Sequence, residues 1–222
     1  MDWQALLLSL RLGGITVLIL LPIGIAVGRL LAYRPFPGKS AVEAAVALPL
    51  VLPPTVVGYY LLVAFGGGSS FGQAYQALFS HSLVFSFEGL VFASVLVNLP
   101  FAIQPMQRGF EAIPADVREA AECSGMSPWQ VLTRIELPLA FPGIVTGLVL
   151  TFAHTLGEFG VVLMVGGSIP GETKTVAIAI YDRVQAFDDA AAGAMSALLL
   201  ALSLIALGVT FVISRRIGRR YA

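Results

Sequence analysis

Charge is scarce in this chain. Of 222 residues, 13 are Lys or Arg and 13 are Asp or Glu, so charged residues make up 12% and the formal net charge is zero. Without a basic excess there is no electrostatic footprint for a phosphate backbone, which argues against nucleic acid as a partner. Cysteine is nearly absent. Cys123 stands alone, so no intrachain disulfide can form, the redox compartment stays unread, and Cys123 reads as a bland helix residue. Of the two histidines, His81 lies in a loop and the surroundings of His154 supply no metal-ligand set. His154 is expected to be packed or backbone-bonded, and no metal site is expected. The phosphate-cradling pattern G-x4-G-K-[ST] does not occur, so the chain is not expected to hydrolyse ATP. The apolar runs hold neither the carboxylate or histidine relay of a proton-coupled carrier nor the nucleophile and base of an intramembrane enzyme. A signal-peptide layout is also missing, since Asp2 precedes Arg11 and no small-residue cleavage site follows. The first apolar run is therefore expected to be retained as a span.

Apolar sequence fills the space that charge leaves. Hydrophobic residues make up 57% and the mean hydropathy is +0.87, which places a single domain in a bilayer. Uncharged runs of about 20 residues, enough to cross a hydrocarbon core of about 30 Å, predict five spans, over residues 12–32, 44–65, 89–107, 137–158 and 190–214. Lipid-facing backbone must satisfy its hydrogen bonds internally, and these runs are too long for barrel strands, so all are expected to be helical. Arg29, within the first, is expected to snorkel to the interface. Pro49, Pro53 and Pro54 in the second, with Pro100 and Pro105 in the third, are expected to kink helices lining a central cavity.

Basic residues orient the spans. Arg29, Arg34 and Lys39 follow the first, Arg108, Arg118 and Arg134 flank the third and fourth, and Arg215, Arg216, Arg219 and Arg220 end the chain. The other side holds Arg11, Lys174 and Arg183. This predicts the N-terminus outside and the C-terminus in the cytoplasm. A sixth crossing between Val161 and Phe187 is rejected because Glu172, Lys174, Asp182 and Arg183 interrupt it.

The densest interior cluster of charge falls in residues 108–136, on the predicted cytoplasmic side. Pro114 and Asp116 mark a helix start, and Gly125 is its expected left-handed stop. Ser127-Pro128 then restarts a helix as cap and first residue. Two short helices would form a knob, with Ala120 and Ala121 presenting a low-relief face and Glu119 and Glu122 available to basic or backbone donors. The whole pattern, Glu119-Ala120-Ala121, three residues, Gly125, nine residues, then Ile135-x-Leu137-Pro138, resembles the coupling loop of binding-protein-dependent ABC importer permeases. Three segments narrow the likeness: Leu48-Pro-Leu-Val-Leu-Pro-Pro-Thr-Val-Val-Gly58, Leu156-Gly-Glu-Phe-Gly160 and Ile169-Pro-Gly-Glu-Thr-Lys-Thr175. With Arg34-Pro-Phe-Pro-Gly-Lys39, they are similar to molybdate permeases of bacteria and archaea, and the Leu-Gly-Glu-Phe-Gly element is shared with sulfate permeases.

That resemblance implies an all-α, five-span bundle of the type I ABC importer kind with two short cytoplasmic coupling helices. It further implies a second copy of the chain, two cytoplasmic ATPase subunits carrying ATP and magnesium, and an extracytoplasmic oxyanion-binding protein. The chain itself would bind no cofactor. Tungstate and sulfate are the rival substrates, and a channel working without ATP is the more remote alternative.

An oxyanion that met fixed cations would be trapped, so a pathway of Gly, Thr, Ser and backbone dipoles is expected. Thr55, Thr151 and Thr155 are candidates, each equally able to bond its own helix backbone. Glu158 reads either as part of an outer gate or as a helix-end acid in water. Trp3 and Trp129 fit interfacial anchors. Residues 66–70 read as a flexible outer loop, and residues 176–187 as a short amphipathic helix on the outer face, suited to docking a binding protein and equally consistent with interface packing. The small pairs Gly24 and Gly28, Gly143 and Gly147, and Gly193 and Ala197 read as helix-packing positions.

Overall fold

Asp2 starts the first helix by accepting the Ala5 N–H at 3.0 Å. From there α1 runs unbroken over Trp3–Tyr33, through Pro22. Arg11 rides on it with its guanidinium 4.4 Å from the Phe87 ring centre, a cation–π contact that lets a charge sit early in an apolar helix. Arg34 is already extended, because the residue before a proline is pushed out of the helical region. The computed structural model describes residues 1–221, with the side chains of Glu122 and of residues 209–221 outside the described set.

The second apolar stretch departs from the single kinked span expected for it. Helix α2 (Lys39–Val51) ends at Leu52, helix α3 begins at Pro54 and runs to Phe65, and the two are bent by 111°. Consecutive prolines at 53 and 54 remove two adjacent donors and force the preceding residues to extend; Leu52 and Pro53 both have extended ψ. Residues 66–69 form a short turn, and helix resumes at Ser70. Ser69 accepts the Gly72 N–H at 2.8 Å and starts α4 (Ser70–Phe79).

Helix α5 (Phe87–Glu111) is capped by Ser86 and passes through Pro100 and Pro105. A short α6 (Ala115–Cys123) comes next, then α7 (Pro128–Val131), a π-helical turn (Leu132–Glu136) and α8 (Leu137–Gly157). The chain finishes with α9 (Gly160–Gly166), α10 (Val176–Gln185) and α11 (Asp189–Tyr221). Among the described residues four helices are long and apolar enough to cross a membrane: α1, α5, the continuous 128–157 helix, and 189–208 of α11. The bent α2–α3 pair makes a fifth if it counts as one broken span.

The centre is α1 packed on α5 and α8, where Leu20, Ala102, Met106, Phe110, Ala140 and Ile144 interlock. Lipid removes most of the hydrophobic drive between helices, so close backbone approach has to hold them. A Cβ added to Gly143 would sit 2.5 Å from the Pro105 carbonyl oxygen, and one on Gly28 3.0 Å from the Gln107 nitrogen. Gly193 has nothing within 4 Å of that position among the described residues. Helix α10 has one packed and one open face: Val176, Ile178 and Ala179 are buried against α1 and α11, while Tyr181 and Val184 are exposed.

Candidate functional site

The polar segment after α5 folds by local rules. Asp116 lies in the first turn of α6. The chain leaves that helix through Gly125, at φ +77°, with the Met126 N–H donating back to Ala121 O at 3.3 Å, the bond of a glycine-terminated helix. Ser127 and Gln130 form a reciprocal capping box at the start of α7. The second helix of the knob is not free-standing, because α7 passes through the π turn into α8 without a break. Part of the knob is therefore an extension of a helix long and apolar enough to span.

Glu119 and Ala120 are exposed, while Ala121 is 7% exposed and faces inward. The two alanines do not share one outward face, since neighbours on a helix point about 100° apart. Ile135, Leu137 and Pro138 are half-buried. Between them Glu136 is fully buried, at 0%. Its carboxylate accepts from Arg29 Nε at 2.5 Å and Arg29 Nη2 at 3.2 Å, and from Arg118 Nε at 3.1 Å. Arg118 lies with its guanidinium 3.7 Å from the Tyr33 ring centre, and the Tyr33 hydroxyl donates to Phe110 O at 2.9 Å. Arg29 therefore does more than snorkel: one buried carboxylate ties α1, α6 and the head of α8 together. The charge-assisted fork of Arg29 suits this role. In the motif Glu136 is the unspecified position. Its signal is a carboxylate at the head of a charge-free run, with an arginine inside another span.

The far end of α8 carries the other candidates. Thr155 donates to Thr151 O at 2.8 Å and accepts from Asn98 Nδ2 at 3.2 Å. Asn98 also meets Ser94, which accepts from Thr16 at 3.0 Å, so a buried polar chain links α1, α5 and α8. The Thr151 hydroxyl is buried with no partner among the described residues. His154 stacks on Phe101 at 4.1 Å with Nδ1 3.1 Å from Asn98 Oδ1. Glu158 is 8% exposed, so it is no helix-end acid in water. Its Oε1 accepts the Val161 N–H at 2.9 Å, opening α9, and its Oε2 lies 3.7 Å from His154 Nε2. Thr55 is exposed in the first turn of α3. A Cβ on Gly160 would lie 2.8 Å from Pro54 Cβ, so the proline break and the Leu-Gly-Glu-Phe-Gly element meet in space.

Residues 21–219 match the binding-protein-dependent transport system inner membrane component family. The chain belongs to that family. The molybdenum transport system permease protein ModB of Azotobacter vinelandii is 48% identical over 86% of this chain and 84% of its own length. ModB of Escherichia coli K12 is 37% identical over 96% and 94%, and the sulfate transport system permease protein CysT of that strain is 34% identical over 85% and 67%. Among solved structures, a bacterial ABC transporter involved in import of the acidic polysaccharide alginate superposes with a TM-score of 0.77 over 96% of this chain and 79% of its own, at 20% identity. The fold is that of type I ABC importer permeases. As a member of the family the chain is a multi-pass inner-membrane component of a transporter, and the ATPase is a separate subunit.

Proposed function

We propose that this chain is the permease of an ATP-driven molybdate importer. Two copies form the pathway, two cytoplasmic ATPases bearing ATP and magnesium dock on the α6–α7 knobs, and an extracytoplasmic binding protein delivers the anion. The observation that carries the coupling role is the knob itself: Glu119 and Ala120 face outward on a helix anchored beneath by Glu136 to Arg29 and Arg118. Such a rigid lever passes a push on α6 directly to α1 and α8. Nucleotide favours one of two arrangements by differential affinity, and the cavity opens alternately. The 48% identity to a molybdenum permease supports molybdate over sulfate and tungstate.

The test is reconstitution with the partner ATPase and binding protein, measuring uptake of each oxyanion and its binding to the binding protein by calorimetry. Uptake of molybdate that requires ATP is expected. Sulfate preference would replace the substrate, and uptake without ATP would replace the importer by a channel. The orientation has its own check. A reporter active only in the cytoplasm should work when fused after Ala222 and fail at Gly67, and the reverse pattern would invert the topology.

A further inference from the structure

The last turns of α1 and the coupling segment enclose an open groove of about 1080 Å³ whose two ends differ in chemistry. Pro22, Ala26 and Leu30 line it and are exposed; four residues apart, they form one apolar stripe along the helix. That stripe is roughly 12 Å long at 1.5 Å per residue, close to the roughly 15 Å depth of one leaflet's hydrocarbon. Four residues beyond it stands Arg34, exposed and with no carboxylate partner among the described residues. Arg29 and Arg118 reach the same end and share the single carboxylate of Glu136, so the rim carries two positive charges in excess. Trp129, 70% exposed, borders it, as expected at a membrane interface.

We infer that this groove is a binding site for an anionic phospholipid, its phosphate at Arg34 with Arg29 and Arg118, and one acyl chain along Pro22, Ala26 and Leu30. The charge excess selects an anionic head, and the apolar stripe leading away from it selects a lipid over a free anion. The occupied groove would brace the coupling segment against α1 from the membrane side. The inference rests on the membrane reading of the chain and not on the identity of the transported anion.

The test is native mass spectrometry of the full-length permease, purified with an equimolar mixture of palmitoyl-oleoyl phosphatidylglycerol and phosphatidylcholine. Retention should favour phosphatidylglycerol. Arg34→Gln should lower that preference about fivefold, the weight of one basic residue near a lipid head. Ala26→Trp, at an exposed position, should lower retention of both lipids by obstructing the chain. Equal retention of the two lipids, or no response to Arg34→Gln, overturns the site. Displacement of bound lipid by inorganic phosphate alone also overturns it, in favour of a bare anion site. Loss of lipid whenever the ATPase is bound makes the groove part of the ATPase interface and overturns it too. ATPase capture is read in the same preparation: lipid retained without capture removes the coupling assignment and leaves the lipid site standing.

Discussion

Two buried carboxylates bracket α8, Glu136 before its first residue and Glu158 after its last, and they are held by opposite means. The 21 residues between them span roughly 31 Å at 1.5 Å per residue, about one hydrocarbon thickness, so each sits near one membrane face. Glu136 is neutralised by two guanidinium groups from distant elements. Among the described residues Glu158 has no fixed cation; a backbone N–H and a histidine nitrogen at 3.7 Å are its neighbours. The first arrangement is strong, specific and expensive to break, because a lost partner leaves charge stranded in a low dielectric. The second is a helix cap that a small movement of α9 would undo. On the proposed mechanism force enters at the stiff joint and the pathway opens at the weakly tied one.

Removing Glu136 gives the largest expected effect. Glu136→Ala strands Arg29 and Arg118 around an empty pocket. Losses in such cases run to about 3–5 kcal/mol, and the lower end applies because the two arginine side chains are 36% and 25% exposed. Thermal denaturation in detergent should show the loss, and limited proteolysis should now cut within residues 112–135. Glu136→Gln, which keeps an acceptor, should lie between. Unchanged stability and unchanged ATPase capture in Glu136→Ala would sink the idea of a stiff joint.

Next in size is Gly125→Val. Nothing lies within 4 Å of the added Cβ, so the cost is backbone alone, roughly 1–2 kcal/mol for a left-handed residue. It should loosen the knob and weaken ATPase binding while the bundle stays folded. Gly125→Asn should do less, since asparagine tolerates that conformation. Glu119→Lys, at an exposed site, should leave stability alone and still weaken docking. ATPase binding measured by pull-down or calorimetry separates the three, and wild-type binding and transport in both Val and Lys variants would remove the coupling assignment.

Glu158→Ala should cost about 1 kcal/mol, the usual loss of a capping side chain, and Glu158→Gln should be nearly silent. Equal losses in the two would move the weight from the cap to the charge facing His154. A transport defect in Glu158→Ala out of proportion to its stability loss would put Glu158 on the gate.

Local chemistry is legible in the sequence, and long-range chemistry is not. The stop at Gly125 and the restart at Ser127-Pro128 come from residues within one turn of each other. At Gly28 and Gly143 the small pair four residues apart is local, while what each approaches, Gln107 and Pro105, belongs to another helix. Glu136 escapes because its partner Arg29 is 107 positions away and each, taken alone, reads as an interfacial charge. The 111° break at Pro53-Pro54 reads as a kink, because hydropathy averages over a stretch and cannot see that two lost donors are adjacent. Helix α4 escapes for the opposite reason: the glycines before it outweigh the cap at Ser69. Thr155 resolves toward its own backbone at Thr151 O, an outcome the residue type alone leaves open.

The smallest effect expected, and the one that bears on mechanism most directly, is a change in thiol reactivity at the two ends. Cys123 is exposed, so the experiment needs a Cys123→Ser background. Gly157, exposed with nothing within 4 Å of its Cβ position, takes a cysteine beside Phe159 at the loosely tied end. Arg108, with its side chain 81% exposed, takes one beside Gln107 at the stiff end. In the assembled transporter with ATP trapped, an impermeant thiol reagent should label position 157 faster and position 108 more slowly than without nucleotide. On this mechanism the fold itself should not change: the packed bundle of α1, α5 and α8 would move as one body while its two mouths alternate. Opposite signs at the two positions are the mark of alternating access. Equal labelling at both, with and without nucleotide, describes a pore, and the asymmetry between Glu136 and Glu158 would then be packing without a mechanical role.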